Sequence, residues 1–148
     1  MSRSICFLFL ALILVQAGHS MEEYSTQLYD VLIPARIVSG FISDDHRVGF
    51  AIFNISLVAF GLWCFFGPVL HASRSALALA WFWVVLELLN GCAHIAWAAS
   101  AGAYRPGLAT APILLAVALA LGWRLQRRSS TTDAAPDLSR NPDRRLDR

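Results

Sequence analysis

Three ionisable residues, His19, Glu22 and Glu23, stand at i, i+3 and i+4 directly after an apolar run. At 3.6 residues per turn they share one helix face. A second set, Glu87, Asn90 and His94, stands at i, i+3 and i+7 inside another apolar run. Gly91 lies among them, where the missing Cβ lets a neighbouring helix come close. Two imidazoles with two or three carboxylates are the donor types of zinc and iron sites. His19 with Glu22 or Glu23 offers two ligand types one turn apart, and His94 completes the set. The expected metal ligands are therefore His19, Glu22, Glu23 and His94, with Asn90 or Glu87 orienting them by hydrogen bonds. A divalent ion there, zinc or iron, would activate water or support redox chemistry. Without metal, the same groups transfer protons, Glu donating and His accepting.

Each residue also has a plainer role. Glu22, Glu23 and His19 suit the polar rim of a helix end. Asn90 and His94 suit hydrogen bonds between helices. Glu87 resists that explanation, because a charge near the middle of a membrane span costs at least about 2.5 kcal/mol. It calls for a proton, a partner such as His94 or Arg105, or a metal.

These side chains need apolar helices to hold them. The chain has 148 residues, 57% hydrophobic and 15% charged, with mean hydropathy +0.54. Such a composition belongs to a membrane protein. Four apolar stretches predict helices over about 5–29, 48–66, 76–98 and 108–123. The expected fold is all-α, a four-helix transmembrane bundle over 1–125, followed by a disordered polar cytoplasmic tail over 126–148. Pro34 must stop the first helix, and Gly67 and Pro68 the second. The fourth stretch is slightly short and carries Pro112 near its start. Arg3 and "VQA" before Gly18 also fit a secretory signal cut after Ala17. The polar residues beyond keep helical spacing, which favours a retained first helix.

All twelve basic residues are Arg, consistent with a coding bias of the source organism. The net charge of +2 is too small to point to nucleic acid, and Asp residues interleave with the Arg of the tail. Arg3, Arg74, Arg124, Arg127 and Arg128 fall on one side of the membrane; Arg36, Arg47 and Arg105 fall on the other. The excess places both termini in the cytoplasm of a multi-pass protein of a bacterial cell membrane. In that frame both polar stripes reach the same outer depth, and Asn54 of the second helix joins them. Cys6, Cys64 and Cys92 lie in apolar runs with no ligand spacing and read as small buried hydrophobes. The five Trp read as packing and interface anchors, His46 and His71 as solvated loop residues, and Tyr104, Pro106 and Gly107 as a turn.

"HSMEE" at His19–Glu23, "NGCAH" at Asn90–His94 and "YRPGLATA" at Tyr104–Ala111 occur in that order. Together they resemble the H-x-x-E-E, N-x-x-x-H and Y-x-P-G-x-x-T-A motifs of the HXXEE family of small integral membrane proteins. The resemblance covers roughly residues 5–125. It implies importance for His19, Glu22, Glu23, Asn90 and His94 without naming a reaction; an Arg also features in the family, and Arg105 is the nearest match.

The leading expectation is a membrane-embedded enzyme, metal-dependent or acid/base, acting on a small apolar or lipid-like substrate in the bilayer. A proton-relay or transporter subunit is the second reading; four helices are few for it, so it requires an oligomer. A structural membrane protein without a site is the third. An enzyme needs a closed pocket, whereas a relay needs a polar path to both surfaces.

Overall fold

A computed structural model describes the chain over residues 1–133, with side chains to Arg128. The described residues are all-α. Helix α1 runs Arg3–Ser25, with the Ser2 hydroxyl capping its first turn through Ile5 N. It ends earlier than the apolar pattern predicts. The Ser25 and Thr26 hydroxyls turn back onto the carbonyls of Met21 and Glu22, and Gln27 adopts a left-handed φ of 58°. A single turn, α2 (Leu28–Val31), follows.

Leu32 is extended and Pro34 opens α3 (Ile33–Ile42), a helix the four-span reading does not contain. Its Ser39 packs on α4 (His46–Cys64) at Gly49, where a Cβ would collide with the Ser39 carbonyl. Asp45 caps α4 by accepting from Arg47 N and Val48 N, so His46 begins a helix rather than sitting in a loop. Near its end α4 loosens into a π turn, Phe65–Val69, around Pro68. Proline lacks the N–H of a regular ladder, and Leu70 N bonds instead to Phe65 O at 2.9 Å. Helix α5 (Ala76–Ala101) stops at Gly102, whose φ of 59° suits only glycine well. After a loop, α6 covers Ala111–Asp133. Residues 126–133, expected to belong to the tail, continue this helix; the rest of that expected tail lies outside the described residues.

Helix α1 packs against α4 and α6, α5 packs against α6, and α3 lies along α4. The main core fills one end of the bundle, where Phe9, Leu12, Ile13, Trp83, Leu114 and Leu121 are fully enclosed. Gly91 meets α6 as expected: a Cβ there would lie 2.7 Å from Leu115 and 3.3 Å from the Ala111 carbonyl. Trp83 is buried in the core while Trp63 and Trp123 face outward. Among the described residues, α1, α4 with its π turn, and α5 are long and apolar enough to cross a bilayer. Helix α6 is the exception, since its apolar part gives way at Arg124.

Candidate metal centre

The opposite end of the bundle is polar inside. Helix α1 presents His19 and Glu23 inward one turn apart, and α5 brings His94 to the same point. His94 Nε2 lies 2.9 Å from Glu23 Oε1, and His19 Nε2 lies 3.4 Å from that same oxygen. The rings meet edge to face, with centroids 4.8 Å apart. All three residues are buried.

The remote nitrogens decide what the inner ones can do. His94 Nδ1 lies 2.7 Å from the Pro106 carbonyl. A carbonyl only accepts, so Nδ1 carries the hydrogen. His19 Nδ1 lies 2.6 Å from Thr110 Oγ1. Thr110 gives its single hydroxyl hydrogen to Glu22 Oε2, also at 2.6 Å, so it must accept from His19. In their neutral forms both imidazoles thus turn an Nε2 lone pair towards Glu23 Oε1. His19 Nε2 is buried without any hydrogen-bond partner. Two lone pairs and a carboxylate oxygen crowd together favourably only around a cation, either a metal ion or a proton.

Glu22 stands apart from this set, although the spacing placed it among the ligands. Its Oε1 accepts from the Tyr104 hydroxyl at 2.6 Å and Ala109 N at 3.0 Å. Its Oε2 accepts from Thr110 N at 2.9 Å and from Thr110 Oγ1. A carboxylate has about four acceptor sites, and all are filled. Glu22 therefore holds Thr110, and Thr110 orients His19. Because the Tyr104 hydroxyl donates to this carboxylate, the phenol resists ionisation and its pKa is pushed up to about 12.

The loop between α5 and α6 is therefore part of the site and more than a turn. Gly107, at φ +86°, lies against both rings; a Cβ would stand 2.5 Å from His94 Nδ1 and 3.0 Å from His19 Cε1. The spacing carried no sign of these roles, though the residues fall within the third quoted motif. Arg105 stacks over Trp97 at 5.3 Å, outside the His–Glu cluster.

Glu87 is wholly buried and pairs with neither His94 nor Arg105 among the described residues. Asn90, one turn on, hydrogen-bonds its carboxyl. The Gln16 amide lies 2.8 Å from Glu87 Oε2 and 3.1 Å from Ser20 Oγ at its other end. Ser20 donates to Asn54 Oδ1 at 2.7 Å, and Asn54 Nδ2 donates to the Phe50 carbonyl at 3.0 Å. Ser20 has one hydrogen, so it accepts from Gln16 Nε2, and Gln16 Oε1 then faces Glu87. The chain closes with every group satisfied when Glu87 carries a proton and donates to that oxygen. Turning the Gln16 amide over suits an ionised Glu87, but it draws the Ser20 hydrogen away from Asn54. Gln16 and Ser20, absent from the expected site, were detectable through their i, i+4 spacing on the His19 side of α1.

A cavity of about 380 Å³ joins the two clusters. Glu23 and His94 line one part, Asn90, Glu87 and Asn54 another, and the remaining wall is mostly apolar.

The family model described as "Protein of unknown function with HXXEE motif" matches residues 7–121. The chain belongs to this HXXEE family. The motif that names it is spelled by His19, Glu22 and Glu23, two of which enter the His–Glu cluster. No curated protein and no solved structure matches the chain.

Proposed function

We propose that this HXXEE protein is a membrane-embedded enzyme that holds one divalent metal ion, zinc or iron, at His19, Glu23 and His94. Its substrate is a lipid-like or small apolar molecule taken into the adjoining cavity. The observation carrying this reading is the convergence of three ligand atoms within 4.8 Å while both Nδ1 hydrogens are engaged elsewhere. Around a tetrahedral zinc, bonds of about 2.0–2.1 Å set neighbouring ligand atoms about 3.3 Å apart. The 2.9 and 3.4 Å contacts at Glu23 Oε1 bracket that spacing. Two His and one carboxylate leave coordination positions open, as catalytic sites do. A metal here supplies Lewis acidity and an activated water. The chain's own residues do the rest. Pro106 and Thr110 fix the ring tautomers, Glu22 anchors Thr110, and the apolar wall excludes bulk water.

Three spanning-length helices support an integral, multi-pass membrane location; with α6, packed against α1 and α5, as a fourth crossing, the Arg distribution supports cytoplasmic termini. The test is metal content of the detergent-purified protein, prepared without chelator. About one equivalent of zinc or iron is expected, lost in His19→Ala and His94→Ala. Thr110→Val should retain the fold and weaken metal affinity about 10–100-fold. Folded protein without metal would defeat the metal reading. The 2.9 Å His94–Glu23 contact then favours acid/base chemistry, with a proton shared in place of the ion.

A further inference from the structure

The cavity is lined by residues of α1, α3, α4 and α5 and is not fully enclosed. At one end α5 packs on the π turn that closes α4, while further along the cavity lies between α4 and α5. Phe53 of α4 and Leu89 of α5 line it, yet they are 41% and 68% exposed on the outer face of the bundle. Val38 of α3 joins them. The inner wall is thus continuous with the surface that the spanning helices present to lipid.

Helix α3 flanks this opening. Ten residues extend about 15 Å, half of what a bilayer core of about 30 Å requires. Its Ile33, Ile37 and Phe41 form an exposed apolar ridge at i, i+4 and i+8, and Phe41 is 86% exposed. Ser39, on another face, is buried against Gly49. Helix α3 lies along α4, and its Pro34, Ala35 and Val38 line the cavity beside Phe53.

The lining restricts what enters. Glu23 and Glu87 are carboxyl groups, Gln16, Asn54 and Asn90 are amides, and no Arg is among the lining residues. Without the ion, an anionic head would meet carboxyl groups with no cationic side chain to offset them; with the ion, Glu23 already offsets one of its two charges and no Arg adds to the remainder. A cationic head would meet the metal. A neutral ester, amide, aldehyde or alcohol meets amide donors and acceptors and loses little solvation. At about 380 Å³ the space is near the lower end of ligand pockets, about 300–1,000 Å³, and suits one aliphatic chain rather than two.

We infer that the cavity receives an uncharged, single-chain amphiphile, which enters sideways from the bilayer between α4 and α5, beside α3. The position of its reacting head at His19, Glu23 and His94 rests on the metal-site reading; the route and the chain pocket do not.

The experiment uses the full chain in phosphatidylcholine vesicles with a long-chain fatty amide bearing a diazirine on its tail. Labelled peptides are mapped by mass spectrometry after irradiation. Saturable labelling at Phe53 and Leu89 is expected, competed by unlabelled amide and at least about tenfold less by the ionised fatty acid of equal length. Phe53→Trp and Leu89→Trp should each reduce it, with circular dichroism confirming their folding. Labelling spread evenly over exposed apolar positions such as Phe7 and Leu119, without saturation, would overturn the route. Equal competition by the ionised fatty acid would overturn the uncharged head. Metal content measured on the same vesicles separates the two readings. Metal with unsaturable labelling removes the lateral route alone, and saturable labelling without metal removes the metal reading alone.

Discussion

Glu22 and Glu23 are adjacent in sequence and do different work. One turns its oxygen to two imidazoles; the other saturates its acceptors on the α5–α6 loop. The Tyr104 hydroxyl is the most accessible member of that second group, in a side chain 55% exposed. Solvent screening keeps its hydrogen bond to Glu22 small, so Tyr104→Phe should cost about 0.5–1 kcal/mol. The folded pKa of about 12 lies above the ordinary value of 10. The contribution is therefore complete below pH 10 and lost as pH rises through about 12. An alkaline absorbance titration checks this: the component missing from Tyr104→Phe should be the one that ionises near pH 12.

The connection from α5 to α6 shows how a loop becomes part of a centre built on helices. It supplies a carbonyl to His94, a hydroxyl to His19 and two backbone N–H groups to Glu22. Gly107 permits this closeness, with its positive φ and no Cβ between the rings. Gly107→Ala should therefore destabilise the fold by about 1–3 kcal/mol through backbone strain and displace His94. A thermal melt beside metal analysis tests both effects. Unchanged stability with full metal would show that the loop is not clamped on the rings. Of the elements, the long helices were legible because continuous apolar runs leave few alternatives to a spanning helix. Helix α3 was not. Its apolar ridge is exposed and its packing contact is Ser39 on Gly49, two small residues that carry no hydrophobic signal.

The bundle divides into an apolar end and a polar end. Enclosed side chains of the core come from the first half of α1, the end of α4, the start of α5 and α6 from Leu114 to Leu125. The His–Glu cluster lies beyond them, so folding of the helices does not depend on a bound ion. Chelation should leave helical circular dichroism nearly unchanged. It should also lower the melting temperature, since a ligand at 100 times its Kd adds only about 2.7 kcal/mol. Collapse of helicity on chelation would assign the metal a structural role instead of a catalytic one.

Composition and hydrophobic runs by themselves determined an all-α chain with spanning-length helices. The burden of placing ionisable groups in such helices singled out His19, Glu22, Glu23, Glu87 and His94, because apolar surroundings penalise charge whatever the packing. Helical spacing placed Glu22 and Glu23 on one face but could not rank them, since one residue is about 100° of rotation and only the neighbours say which direction is inward. Those neighbours are remote in the chain: Thr110 lies 91 residues from His19, and Tyr104 lies 82 from Glu22. The committed Nδ1 atoms, the four acceptor bonds of Glu22 and the cavity between α4 and α5 all arise from contacts across such separations. Local pattern carries no information about them, and the tertiary structure alone decided them.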